Sequence, residues 1–408
     1  MSQAASHPSA SPGASHPHPF DLKRCRADYP ALRDKAYFNY GGQGPLSAGA
    51  IATISDAFQE LQHLGPFGRG AGDWVERTTA QLRQALATEL GVTPGTITLT
   101  ENVTMGCNIA LWGVDWKPGD RLLLSDCEHP GVVGTVQEIA SRFSVKVDLC
   151  ELAHLRDGAA IAAAVIQAIG PNTRLVVLSH LLWNTGVLLP VAELTRAMAA
   201  IPAARSRQLL LDAAQSVGSI PLNLEELGVD FYAFTGHKWL CGPEGTGGLY
   251  VRPGSDLRPT FIGWRGVTVD AIGWTNGLRD DGRRHEVATS AYPLYAGLSR
   301  AIADNNRWGS ARDRFERIKT IAAYLWQRLG EVPRVTRLQL QEPDAGIVPF
   351  WVDDGTPQIH QRWSAHLEQQ GIFVRTIAHP PCLRACVHHF SSEGDCDRLV
   401  AALEAGLG

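Results

Sequence analysis

The sequence predicts an α/β domain built on a large, mostly parallel sheet, followed by a smaller αβ C-terminal domain. Three observations predict it. Apolar, strand-like runs alternate with amphipathic, helix-like stretches through the middle of the chain, the pattern of parallel strands joined by crossover helices. After Thr289 that rhythm gives way to long helical segments and then a shorter αβ pattern. The chain has 408 residues, 44% of them hydrophobic, enough for two domains or one large domain with an appendage.

Residues 1–20, MSQAASHPSASPGASHPHPF, are mostly Ser, Ala, Pro and His and read as a disordered tail. Residues 21–45 are expected to pack near the small domain. Residues 46–300 form the expected large domain. Its strands are RLLLSD (121–126), VKVDLCEL (145–152), RLVVLSHLLW (174–183), QLLLDAAQ (208–215), DFYAFTGHKW (230–239) and GGLYVRP (247–253), with amphipathic stretches at 131–143, 157–169 and 191–200. Residues 292–330 read as long helical segments, and the small domain is placed at 301–408. It contains IVPFWVDD (347–354), a helix near 357–370, IFVRTIA (372–378) and LRACVHHF (383–390). No internal repeat of solenoid period is present.

Net charge is −4 and the pI is near 6.4, so no basic stripe points to nucleic acid or an acidic membrane surface. No stretch approaches the roughly 18 unbroken apolar residues of a membrane helix. The first twenty residues lack an apolar core and any Arg, which argues against a secretory or organelle signal. The eight cysteines are scattered, as expected of reduced thiols in a cytoplasmic protein. Cys382 and Cys386, with His388 and His389 behind them, lack a second half at zinc spacing, so no metal site is expected.

The chemistry centres on Asp212 and Lys238. DAAQS follows the apolar run QLLL, and TGHKW ends the next one, so two neighbouring strand tips aim an acid and an amine into one crevice. Pyridoxal 5′-phosphate (PLP) chemistry asks for that pair: the amine forms a Schiff base, and the carboxylate keeps the pyridine nitrogen protonated. Alone, Asp212 reads more simply as a helix cap and Lys238 as a surface lysine; the frame around them decides otherwise. Gln215, three residues past Asp212, is placed to hydrogen-bond the ring O3′. His237 and Thr235 share the Lys238 turn, with His237 a donor to the phosphate. In ENVTMGCN (101–108) a strand end leads through a Thr/Gly turn into a helix whose N-terminal N–H groups and Thr104 hydroxyl would cradle the dianion. His129, in DCEHPG, follows a strand and is placed to stack on the ring.

These motifs resemble the class V aminotransferase group of fold-type I PLP-dependent transferases, which includes cysteine desulfurases. YFNYGGQGPL, NVTMGCNIALWGVDW, LSHLLWNTG, YAFTGHKWLCGPEGTGGLY, FIGWRGV, EVATSAYPLYAG and LRACVHHF sharpen the resemblance to cyanobacterial L-cysteine/cystine C–S lyases, from about residue 28 to the C-terminus. The resemblance implies a homodimer with active sites at the subunit interface. Lys238, Asp212 and His129 would be catalytic. Val103, Thr104 and His237 would hold the phosphate, and Thr289 would reach the phosphate of the neighbouring subunit. Gln215 and Asn184 would approach O3′. Arg384 would take the substrate α-carboxylate, Arg375 its distal end, Trp264 would cover it, and Gly42 would line its site. From the residues alone, Arg375 and Arg384 could equally be domain-closing ion-pair partners, and Trp264 ordinary core.

The implied reaction is α,β-elimination of cystine or cysteine to pyruvate, ammonia and cysteine persulfide or sulfide, with sulfane sulfur passing to an acceptor protein such as one building iron–sulfur clusters. Two arginines favour a substrate with a second carboxylate, hence cystine. A true desulfurase needs an enzyme cysteine that attacks substrate sulfur. Here the interval between Arg375 and Arg384 is the short TIAHPPCL, and Cys382 sits two residues from Arg384. The remaining rivals are transamination or epimerisation, and a non-catalytic sulfur or iron scaffold.

Overall fold

The computed structural model describes residues 21–407; the expected tail over 1–20 lies outside the described residues. Seven strands make the large sheet: β1 (Ile97–Thr100), β2 (Arg121–Ser125), β3 (Lys146–Cys150), β4 (Thr173–Ser179), β5 (Gln208–Asp212), β6 (Phe231–Thr235) and β7 (Gly247–Val251). Their spatial order is β1-β7-β6-β5-β4-β2-β3. Only β7 runs against its neighbours; every other pairing is parallel.

Such a sheet needs cover on both faces, and the strand sequences comply. Every residue of β4, β5 and β6 is buried. Along them the side chains alternate between two cores: Val176, Leu178, Leu209, Leu211, Tyr232 and Phe234 face one, and Leu175, Val177, Leu210, Phe231 and Ala233 the other. Helices α1 (Ala48–Leu64), α2 (Arg69–Leu90), α5 (Gly158–Ala168) and α6 (Val191–Ala200) belong to the first core. Helices α3 (Val103–Gly113) and α4 (Pro130–Phe143) belong to the second. Edge strand β3 is mostly exposed, and its Asp148 pairs with Arg121 on β2.

Helix α7 (Tyr292–Asn306) spans the expected boundary at residue 300; its Tyr292, Tyr295, Leu298 and Ile302 all join the first core. Helix α8 (Ala311–Leu329) then leads into an antiparallel sheet of β8 (Val335–Arg337), β9 (Ile347–Val352), β10 (Arg375–Ala378) and β11 (Pro381–Cys386), in the order β8-β9-β11-β10. Helices α9 (Pro357–Gln369) and α10 (Glu393–Leu407) complete this unit, whose core includes Ile321, Leu325, Phe350, Leu367, Leu383 and Leu399.

The segment 21–45 is stitched to both units. Ala36–Tyr37 pairs in parallel with Ile372–Phe373. Arg26 forms an ion pair with Asp395 at 2.6 Å. Cys25, Tyr29, Leu32 and Tyr40 pack with Trp239, Ile347 and Phe390 in a seam between the sheets. The strand tips β1, β2, β4, β5 and β6 therefore open toward a crevice closed by this segment and by β11.

Candidate active site

Asp212 is the last residue of β5, and Lys238 follows the end of β6 by three residues. Asp212 is buried; one of its oxygens accepts from the Ala214 N–H at 2.9 Å. Burial raises its pKa, and that N–H, Lys238 and His129 pull it back. Lys238 is half-buried, and burial brings its pKa down to about 8 against the pull of Asp212. Among the described residues the amine makes no ion pair, yet each group feels the other's charge. Acid and amine are thus coupled across a gap rather than joined.

Around that gap the other expected residues gather. His129 caps helix α4, its Nδ1 accepting from the Gly131 N–H at 3.2 Å. That bond leaves the proton of the neutral ring on Nε2. Burial lowers the His129 pKa, so the ring stays neutral near pH 7. Thr104 lies beside it: a side chain on Gly131 would sit 3.2 Å from the Thr104 methyl, so glycine lets the first turns of α3 and α4 meet. Asn102 caps α3 by accepting from the Met105 N–H at 2.9 Å. The N–H groups of Val103 and Thr104 then have no partner within the helix, the usual preparation for an anion. His237 Nδ1 is 2.6 Å from Thr235 Oγ1, which orients that imidazole; burial lowers its pKa.

Gln215 is buried, donating to the Gly41 carbonyl at 3.0 Å and accepting from the Trp239 indole at 2.9 Å. Asn184 is also buried but spans away from this set, donating to the His379 carbonyl at 2.9 Å and accepting from the Thr185 N–H at 2.9 Å. Gly42 closes the turn Asn39–Gln43, its N–H donating to the Asn39 carbonyl at 2.8 Å. Arg384 is 2% exposed; its Nη1 donates to the Trp183 carbonyl at 2.8 Å and its buried Nε has no partner. Arg375 lies directly opposite on β10 and is exposed. Neither arginine makes an ion pair among the described residues, so the domain-closing alternative has no support. Trp264 is 62% exposed, which removes it from the core; Arg265 lies 5.2 Å from its ring centre. Thr289 is exposed on the segment that follows.

These side chains fit PLP. A buried carboxylate stands across a gap from an unpaired amine of depressed pKa, beside a neutral imidazole and a free helix N-terminus. Asp212 would hold the ring nitrogen, Lys238 the aldehyde carbon, and Val103, Thr104 and His237 the phosphate.

Residues 53–396 match the family model described as aminotransferase class-V. The chain belongs to the class-V aminotransferase family. Its cofactor is PLP, and it is an enzyme of the fold-type I class. Among solved structures, this class-V chain resembles a lysine-to-alanine variant of C-DES with glycine covalently linked to PLP: TM-score 0.90, 45% identity, 93% of this chain and 98% of that one. It resembles the complex of the cystine C–S lyase C-DES with its product cysteine persulfide at TM-score 0.89 and 45% identity, over 92% and 99% of the two chains. Among curated relatives, isopenicillin N epimerase of Streptomyces clavuligerus is 30% identical over 91% of this chain and 94% of its own. A probable cysteine desulfurase of Methanothermobacter thermautotrophicus is 26% identical over 94% and 98%.

Two buried groups of this class-V site escaped the sequence reading. Glu128, one residue before His129, accepts from Ser125 Oγ at 2.5 Å and from Ser179 N and Oγ at 3.0 and 2.8 Å. It ties the ends of β2 and β4 together, and burial pushes its pKa up to about 7. Trp239, next to Lys238, is fully buried. A carboxylate three residues past an apolar strand was the available signal for Glu128; nothing local distinguished Trp239 among eleven tryptophans.

Proposed function

We propose that this enzyme is a C–S lyase acting on cystine: cystine and water give cysteine persulfide, pyruvate and ammonia. The Cβ–S bond breaks, its electron pair leaves with the persulfide sulfur, and the three-carbon fragment hydrolyses. Bound PLP supplies the electron sink for the pair left at Cα. Lys238, its amine partly neutral near pH 7, removes the Cα proton. Asp212 holds the proton at the ring nitrogen, and His129 covers the ring face as a neutral imidazole. Arg384 takes the α-carboxylate through nitrogens that the protein leaves free, and Arg375 takes the distal carboxylate.

The observation that carries this reading is the state of Cys382. It lies within β11, wholly buried against Leu338 and Ile377, and burial pushes its thiol up to about 12. A desulfurase nucleophile must be a reachable thiolate. The other seven cysteines are buried and unpaired as well, which supports a reducing, cytoplasmic setting. No helix among the described residues is long and apolar enough to cross a membrane. Persulfide sulfur of this kind suits transfer to an acceptor protein, including one that assembles iron–sulfur clusters.

The enzyme works as a homodimer, with Thr289 reaching the phosphate in the neighbouring site and Trp264 covering the substrate. Exposed Phe261, Ile262, Trp264, Ile272 and Trp274, all within one stretch of fourteen residues (261–274), support that pairing.

The test is a product assay with cystine alone, on the wild type and Cys382→Ala. Pyruvate and persulfide should appear together without added keto acid, and Cys382→Ala should keep both. Alanine in place of pyruvate, or loss of sulfur release in Cys382→Ala, would establish a desulfurase instead. Inverted substrate without pyruvate would establish an epimerase.

A further inference from the structure

A glutamine amide can present either its oxygen or its nitrogen to a ligand, and the two look alike in shape. At Gln215 two neighbours remove the choice. The Trp239 indole N–H is a donor only, so the amide oxygen must face it, at 2.9 Å. The Gly41 carbonyl is an acceptor only, so the amide nitrogen must face it, at 3.0 Å. A flipped amide would set N–H against N–H and oxygen against oxygen in a buried place, losing both bonds. One N–H of Gln215 is left over.

Trp239 is itself held at both ends. Its ring is wholly buried, stacked near Tyr40 and His388, and its carbonyl lies 3.0 Å from His388 Nε2. Space around it is tight. A side chain at Gly218 would come within 2.7 Å of the Trp239 carbonyl carbon, and one at Gly346 within 2.9 Å of its ring. Because Trp239 directly follows Lys238, the segment that carries the reactive amine also carries the group that orients Gln215.

We propose that Trp239 is a positioning residue that locks the Gln215 amide with its remaining N–H, never its oxygen, toward O3′ of the cofactor. This rests on the reading that Gln215 faces O3′. The ring phenolate O3′ shares its negative charge between the proton on the Lys238 imine nitrogen and any donor the protein supplies. A protein donor draws charge away from that proton, so the imine releases it at lower pH. Remove the lock, and the amide turns or wavers; the imine then keeps its proton to higher pH.

The holoenzyme provides the readout, since the visible band of bound PLP titrates with that proton. Trp239 is replaced by 3-benzothienylalanine, which keeps the bicyclic shape and substitutes sulfur for the indole N–H. Trp239→Phe is the genetic companion. The expected result is a midpoint raised by about one pH unit, the scale of one hydrogen bond to a charged group. Gln215→Leu should give a similar rise. Leu240→Ala, equally buried but outside this network, should leave the midpoint unchanged. If Gln215→Leu moves the midpoint and the benzothienyl protein does not, the lock is wrong while the reading of Gln215 stands. If neither moves it, Gln215 does not face O3′, and the lock falls with it.

Discussion

Arg375 and Arg384 occupy directly opposed positions on neighbouring antiparallel strands, so their side chains leave the sheet on one face. Like charges so placed repel by a few tenths of a kcal/mol up to about 1 kcal/mol, and burial of Arg384 sharpens the cost. No carboxylate among the described residues offsets it. An arrangement that costs stability and lacks an internal partner is suited to an anionic ligand with two carboxylates, which cystine has and cysteine lacks. Arg375→Ala should therefore raise KM for cystine by roughly 10- to 100-fold, the loss of one charge-assisted contact of about 1.5–3 kcal/mol. KM for cysteine should change far less. Steady-state kinetics with both substrates checks this, and equal damage to both would remove the distal role of Arg375. The pair was visible in the sequence only as two arginines nine positions apart; that they face each other follows from the turn between β10 and β11.

Strand ends and helix starts do most of the work of assembling the pocket. β1 passes into α3 and β2 into α4 through short turns, so two helix N-termini arrive side by side, each with N–H groups to spare. Asn102 orders the first of these by taking the Met105 N–H. Asn102→Ala should cost about 1 kcal/mol of stability, the usual value of an N-cap. It should also speed cofactor loss, because the turn that presents the Val103 and Thr104 N–H groups would fray. Thermal unfolding and the rate of PLP release measure the two effects. A variant that loses stability but releases PLP at the wild-type rate would show that α3 does not hold the phosphate. Several apolar runs continued past the observed strands. RLVVLSHLLW reads as one strand to Trp183, yet β4 stops at Ser179. Leu181 and Leu182 are wholly buried, and Leu181 pairs only with Leu188 of the same loop in an isolated antiparallel bridge, so the apolar run reports a buried loop and not a longer strand of the large sheet.

At the scale of the molecule, the hairpin region beyond β7 leaves more apolar surface in the open than a lone subunit usually tolerates. Trp274 is 72% exposed and Ile272 79%. Thr289 and Trp264, each proposed to meet a ligand, are also exposed in the single chain. A second copy covering this region would bury the hairpin and complete the site together. Replacing Ile272 and Trp274 with Asp should convert dimer to monomer in light scattering behind size-exclusion chromatography and abolish cystine turnover, while the chain stays folded. A wild-type protein that is monomeric and fully active would overturn the dimer and the role of Thr289.

By itself the sequence determined the alternation of strands and helices, the parallel character of the sheet, and the strand tips carrying Asp212 and Lys238. Those depend on local periodicity and on where apolar runs end, which neighbouring residues already encode. The tertiary structure alone decided that Arg375 opposes Arg384, that Cys382 is sealed in a strand, and that Trp239 and Gly41 orient Gln215. Each of these depends on groups brought together from distant parts of the chain, where the direction of a hydrogen bond or the depth of burial is a property of packing and not of any segment.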